Sequence, residues 1–440
     1  MASVEQPRVV PVQAEDESMT SDGIEPKPKT STSLMAQVLD RDNLIRALKQ
    51  VKRNKGAPGI DGMTVDALSC YLKQYWPSIK TRLETGHYHP KPSRRVEIPK
   101  SDGGVRRLGI PRVVDRFIQQ AIAQVLQSLW EAGFHDNSYG FRPTKSAHQA
   151  IYHAQTTLKA GNGWVVDCDI ESFFDEVNHD VLMMRLRSKM DDELLLGLIK
   201  RYLKVGVMVD GKRKRSVVGM PQGSPLSPIL SNILLNDLDW ELQRRGHHFV
   251  RYADDFQVYV KSPEAGERLM EGLARYLGKV LRLRVQPTKS AVDRPWKRTF
   301  LGFRFSRRLK LMVSAYASQK LAQKIRQLSR RTRGHSIRKV VADLKKALLG
   351  WKAYFGIVEG KSQLRDLDKW IRRKLRCYVW KQWGRSGYRR LRQRGVSRQL
   401  AWNTAKSAHG PWRLSRSPAL ARGLPNSYFR DLGLPELYSR

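Results

Sequence analysis

The sequence predicts an α+β protein in which a mixed part of strands and helices is followed by an all-helical third. Three observations carry this. Residues 249 to 260 read F-V-R-Y-A-D-D-F-Q-V-Y-V, two runs rich in β-branched and aromatic residues around an acidic pair. That is the pattern of a hairpin with Asp254 and Asp255 at its turn. Residues 94 to 111, R-R-V-E-I-P-K-S-D-G-G-V-R-R-L-G-I-P, read as strand, S-D-G-G turn and strand, with basic residues on both arms. After Ser314 the apolar residues recur only at helical spacing.

At 440 residues the chain has length for roughly three domains. Lysine and arginine total 81 against 41 acids, a formal net charge of +40. A charge of that size points to a polyanionic partner, nucleic acid first and an anionic membrane surface second. No apolar run approaches the roughly 18 residues of a spanning helix. The start, M-A-S-V-E-Q-P-R, lacks the basic and apolar blocks of a signal peptide. Cys70, Cys168 and Cys377 lie far apart, which argues against a disulfide framework or a zinc site and for a reducing compartment. The expected setting is cytoplasmic, on nucleic acid and without a membrane.

Residues 1–33, with four prolines and few large apolar side chains, are expected to be a disordered leader. Leu44, Ile45 and Leu48 share one helical face, and N-K-G-A-P-G-I-D-G (54–62) forces a loop. A second helix is expected over Val65 to Leu83. The basic hairpin follows, able to lay several charges against a triphosphate or to be an ordinary soluble hairpin. Asp115 to Trp130 is an apolar core helix. S-Y-G-F-R-P (138–143) is a loop with an exposed aromatic pair, and Lys145 to Leu158 is helix.

An apolar strand, W-V-V-D-C-D, then runs into Asp167 and Asp169, which alternation places on one face with Cys168 opposite. One of the two acids is expected only to hydrogen-bond the following turn. G-M-P-Q-G-S-P-L-S-P (219–228) leads into a helix whose N-terminus, with Gln222 and Ser224, suits an anion. An amphipathic helix over Glu264 to Leu281 precedes Lys289 and the short F-L-G-F-R-F strand (300–305). In the helical third, apolar stripes are core. From Lys369 to Arg430 there are 17 lysines and arginines and no acid, which favours a nucleic-acid-binding face. Trp380, Trp383, Trp402 and Trp412 interleave with that charge and either stack on bases or are buried.

Asp169, Asp254 and Asp255 come from two strands. Held together without a cation, three carboxylates repel one another. Mg²⁺ removes the penalty, and two ions roughly 4 Å apart activate a 3′-hydroxyl and stabilise a leaving pyrophosphate. Asp254 is the expected direct ligand of the adjacent pair.

The motifs I-P-K-S-D-G-G-V-R-R-L-G-I-P, S-Y-G-F-R-P, D-I-E-S-F-F-D, P-Q-G-S-P-L-S-P, R-Y-A-D-D and F-L-G-F, preceded by N-K-G-A-P-G-I-D-G, stand in an order that resembles bacterial group II intron-encoded reverse transcriptases and maturases. The resemblance runs from about residue 35 to the C-terminus. It implies a right-hand polymerase: fingers with an N-terminal extension (34–160), an antiparallel-sheet palm (161–313) and a helical thumb and maturase domain (314–385). A basic nucleic-acid-binding segment (386–440) follows. It implies RNA-directed DNA polymerisation with two Mg²⁺ at Asp169, Asp254 and Asp255. Arg94, Lys100, Arg106, Gln222 and Lys289 would meet the incoming nucleotide, and Phe174 would exclude a ribose 2′-hydroxyl. L-L-G-W-K-A-Y-F (348–355) and W-I-R-R-K-L-R (370–376) resemble the maturase helices, with Arg372, Arg373, Lys374 and Arg376 as RNA contacts.

The implied partners are group II intron RNA, an RNA template with DNA primer, deoxynucleoside triphosphates and a DNA target, in a ribonucleoprotein. A splicing-only maturase and a defence- or CRISPR-associated reverse transcriptase are the alternatives, and the intact aspartates argue against the first. Past Leu364 the chain offers Cys377 and His409 but no acid between Asp368 and Asp431, too little for a metal nuclease. The expected form therefore lacks the C-terminal endonuclease domain and extends a supplied 3′-end.

Overall fold

The computed structural model describes residues 33–99, 104–209, 211–214 and 216–438. Helices α1 (Leu34–Leu39), α2 (Arg41–Asn54) and α3 (Leu68–Glu84) lead to strands β1 (Ser93–Pro99) and β2 (Val105–Ile110). Next come α4 (Val113–Trp130), α5 (Ala147–Lys159), β3 (Trp164–Cys168), α6 (Phe173–Glu176), α7 (His179–Arg187) and α8 (Glu193–Lys204). A small hairpin, β4 (Val207–Val209) and β5 (Lys212–Lys214), precedes α9 (Ser227–Arg244). The acidic hairpin is β6 (His248–Tyr252) and β7 (Asp255–Val260), followed by α10 (Pro263–Tyr276), β8 (Ala291–Asp293), β9 (Phe303–Phe305) and β10 (Leu311–Val313). Three long helices, α11 (Ala315–Leu328), α12 (Ile337–Phe355) and α13 (Lys361–Trp383), then give way to short helices between Gly387 and Asp431.

Residues with short polar side chains start the helices. Asp40, Ser146, Asn178, Asp192, Ser262, Ser314 and Ser336 accept from first-turn amides of α2, α5, α7, α8, α10, α11 and α12. In α2 the buried face is Asn43, Ala47 and Val51, while Ile45 turns outward. Of the expected leader, residues 1–33, all but Ser33 lie outside the described residues, as do residues 100–103.

β1 and β2 pair antiparallel from Arg94↔Ile110 to Pro99↔Val105, and β4 joins β1 in parallel through Ser93↔Val207. The second sheet has the order β6-β7-β3-β8, all antiparallel. Its alternation divides the molecule. Val166, Cys168, Phe249, Phe256 and Val258 enter a core built with α4, α8 and α9. Val165, Val250 and Tyr259 point the other way, into a core shared by α5, β9, β10 and the helices after Ser314. The period-two pattern thus fills both faces, as a sheet covered on each side requires.

The basic side chains of α13, expected from sequence as RNA contacts, are engaged by the chain itself. Arg372 donates to Glu436 Oε1 at 2.7 Å, and Arg376 donates to the Leu424 carbonyl and Asn426 Oδ1, both at 2.9 Å. Arg373 bonds Ser415 and the Trp412 carbonyl and stacks 3.7 Å from the Trp412 ring centroid, with Lys374 beside the same ring. Asp368 accepts from the amides of Leu437 and Tyr438. The physical reason is proximity: the chain folds back over α13, so these half-buried donors meet carbonyls before solvent. Of the tryptophans, Trp380 is buried and Trp383 half-buried, while Trp402 and Trp412 are exposed.

Candidate active site

β3 ends at Cys168, and Asp169 follows it into a recess of about 570 Å³. The Asp169 amide donates to Ser290 Oγ at 3.0 Å, and its carbonyl accepts from Gln286 N at 2.8 Å, so segment 286–290 fixes the residue from outside the sheet. That segment also brings Lys289, whose Nζ lies 3.8 Å from Asp169 Oδ2. Asp254 enters the same recess from the β6–β7 turn, Arg106 from β2, Phe174 from α6, and Gln222 from the loop before α9. Five segments distant in sequence therefore meet around one cavity.

Burial raises the Asp254 carboxyl and the charge of Asp169 adds to it, while Arg106 and Arg251 pull it down. Asp255 behaves differently from its neighbour. It pairs with Tyr252 as the first residue of β7, and the pleat sets it on the face of Gln257 and Tyr259 rather than in the recess. Partial withdrawal from water and the charges of Asp167, Asp254 and Asp169 raise its carboxyl. Asp169 and Asp254 thus line the recess, and Asp255 stands near enough for the charges of both to reach it. Among the described residues, no three His, Cys, Asp or Glu side chains converge as a ready-made metal site.

Asp167, expected on one face with Asp169, pairs with Gln257 outside the recess and is held by Arg298 and by Gln257 Nε2 at 3.2 Å. It serves the fold of the 294–299 turn. Arg94 also falls outside the recess. Its neighbour Arg95 lines an adjoining cavity of about 400 Å³, so strand alternation turns Arg94 away, and its Nε is buried without a hydrogen-bond partner. Lys100 lies outside the described residues. Ser224 is not available to an anion: its buried hydroxyl donates to Gln119 Oε1 at 2.9 Å and accepts from the Leu226 amide. Tyr139 of the 138–143 loop is half-buried, Phe141 is exposed, and Arg142 is buried against Glu131 and the His135 and Ser138 carbonyls.

Arg107, next to Arg106, lines both cavities and was not singled out from the sequence, although its place in the basic arm was the available signal. Gln286 carries no such signal, because only the tertiary contact with Asp169 gives it a role. The loop before α9 is stitched to the Phe174 turn by Gly219 N to Val177 O and Met220 N to Phe174 O, both 2.7 Å. Gly219 has φ +84, and a Cβ there would stand 2.6 Å from the Asp175 carbonyl oxygen, so only glycine allows this approach.

Residues 98–305 match the family model for reverse transcriptase (RNA-dependent DNA polymerase), and residues 318–396 match the group II intron maturase-specific domain. The chain is 33% identical over 299 residues to protein YkfC of Escherichia coli, covering 59% of this chain and 78% of that one. It is 34% identical over 209 residues to the group II intron-encoded protein LtrA of Lactococcus lactis subsp. cremoris, covering 47% of this chain and 35% of LtrA. A 91 kDa protein in the cob intron of Schizosaccharomyces pombe is also 34% identical over 209 residues, with 46% and 25% covered. The chain spans about a third of LtrA and a quarter of the yeast protein. No helix among the described residues is long and apolar enough to cross a membrane. A polymerase match from the end of β1 to β9, a maturase match across the following helices, and a relative covered over most of its length agree: the chain belongs to the group II intron reverse transcriptases, RNA-directed DNA polymerases with a maturase domain.

Proposed function

We propose that this recess adds deoxynucleotides to a DNA primer on an RNA template, and that the helical third binds group II intron RNA and assists its splicing. The observation that carries the first half is the convergence of Asp169 and Asp254 with Arg106, Arg107, Gln222, Phe174 and Lys289 around one cavity. Acids at the floor and cations on the wall suit a metal-bound triphosphate. The family implies dependence on a divalent metal.

The residues fit Mg²⁺. Two carboxylates are hard oxygen donors, and Mg²⁺ characteristically takes one or two of them with substrate phosphate oxygens and water. The raised Asp254 carboxyl is the electrostatic cost that a cation removes. Asp169 and Asp254 would hold the metal, two ions in our reading, with Asp255 supporting from the neighbouring face. Bound there, the metal would acidify the primer 3′-hydroxyl and offset charge on the leaving pyrophosphate.

The chain's own residues do the rest. Arg106 and Arg107 bind and orient the triphosphate, bidentate where the geometry allows. Lys289, beside Asp169, adds a positive charge to the same wall. Gln222 lines the pocket through a loop whose carbonyl at Gln222 accepts from Gly109 N at 3.0 Å, tying it to the basic hairpin. Phe174 presents its ring where a 2′-hydroxyl would need room. Deoxynucleoside triphosphates, a template–primer duplex, intron RNA and a DNA target are the proposed partners, in a ribonucleoprotein.

The test is primer extension on an RNA template with Asp254→Asn beside the wild type. Synthesis should fall by several orders of magnitude while binding of intron RNA, measured by filter retention, stays within twofold. Equal loss of both would mean a folding defect or a different site.

A further inference from the structure

Arg251, directly before Tyr252 in R-Y-A-D-D, is fully buried, an unfavourable place for a charge unless its partners are close. Nε and Nη2 donate to the two oxygens of Asp239 on α9 at 2.7 and 2.5 Å, and Asp239 is fully buried as well. Nη1 donates to Asn232 Oδ1 at 3.0 Å and to the Ala253 carbonyl at 2.8 Å. Ala253 is the residue before Asp254 and holds φ +60, a left-handed conformation in which a side chain is strained.

The same node reaches a second loop. Arg251 N donates to the Asn137 carbonyl at 2.9 Å, and Tyr139 N to the Arg251 carbonyl at 2.8 Å. Asn232 Nδ2 donates to the Gly140 carbonyl at 2.8 Å. A buried ion pair is a weak source of stability compared with apolar residues of the same volume. A planar fork that meets Asp239, Asn232 and the turn carbonyl at once is, by contrast, an efficient way to set a backbone.

We propose that Arg251, held by Asp239, is a positioning residue: it fixes the Ala253 carbonyl, hence the backbone that presents Asp254, and locks that turn to the 137–140 loop. The inference rests on the reading of Asp254 as a ligand of the reacting complex. It makes the arginine of R-Y-A-D-D part of the polymerase apparatus, although it touches neither substrate nor metal.

The test uses the full chain as Arg251→Lys and as the double variant Arg251→Met with Asp239→Leu. Three quantities are read: thermal unfolding, hydrogen exchange of the peptide covering 252–256, and single-nucleotide addition resolved into kcat and KM. In the double variant, unfolding should stay within a few degrees of wild type. Exchange at 252–256 should speed up at least tenfold, and kcat should fall about a hundredfold, the scale of a small misplacement at a reacting centre. KM for the nucleotide should move less than threefold. Arg251→Lys, which keeps charge but loses the fork, should show the same exchange and kcat signature. Wild-type exchange and kcat in either folded variant, or a loss confined to KM, would overturn the proposal. If the double variant does not fold, Arg251→Lys decides by the same readouts. If the wild type itself fails to extend a primer, the polymerase reading falls, and exchange at 252–256 alone judges this one.

Discussion

Arg298 grips a single oxygen of Asp167, with Nε at 2.8 Å and Nη2 at 2.6 Å from Oδ2, two residues before Asp169 turns into the nucleotide recess. Neighbouring acids on one strand thus have separate tasks. Asp167→Asn should weaken the fold by about 1–3 kcal/mol, because a largely buried guanidinium loses its charged partner. Asp169→Asn should leave the melting temperature near that of wild type and abolish primer extension. Thermal unfolding beside extension assays separates the two, and the reverse pattern would exchange their roles.

Phe174 is half-buried, follows Phe173 in α6, and lines both cavities beside Gln222. Phe174→Ala should admit ribonucleotides, with discrimination against them falling at least tenfold in single-nucleotide addition. Unchanged discrimination would reduce Phe174 to a packing residue.

RNA affinity should fall steeply with salt, because lysine and arginine contacts to phosphate release counterions. Arg372, Arg373 and Arg376 hold the returning chain, so removing them should chiefly loosen residues 412–438 and accelerate their proteolysis. Arg389, Arg390 and Arg398 are exposed. Their joint replacement by glutamine should flatten the log–log salt slope by up to roughly one unit per lost contact. A slope unchanged by all three would place the RNA on another face.

Gly140 lies so close to the acidic turn that a Cβ would stand 2.3 Å from the Ala253 amide nitrogen. Gly140→Ala should push the turn outward and reduce DNA synthesis tenfold or more, with little change in RNA binding. A fully active Gly140→Ala protein would show that the turn tolerates displacement.

Much of this was legible in the chain itself. Asp169, Asp254, Arg106, Gln222 and Lys289 were all read from motifs, and the structure gathers them in one recess. Motifs made the residues visible because short strands and glycine turns impose local order that sequence records directly. What the sequence left open has a common origin in contacts far along the chain. Arg94 and Asp255 depend on which pleat face meets the cavity, a matter of one residue in register. Ser224 is claimed by Gln119, 105 residues away, and the α13 arginines by a segment that returns some 40 residues later. Composition marked that helix as basic but could not say which cations the chain would itself occupy.

The antiparallel sheet that carries Asp254 has no back. One of its faces is closed by α10 and by helices that precede the acidic hairpin, and the other by α5 and the helices after Ser314. Nucleotide chemistry and the maturase helices therefore share a wall, and neither half is a cassette to be excised. A chain cut after Val313 would leave Val165, Val250 and Tyr259 in a core reduced to α5, β9 and β10. Any change in the helices that alters how they seat on that wall is felt, mechanically, at the hairpin whose turn carries Asp254. An RNA gripping the far helices would hold the polymerase by the reverse side of its own floor.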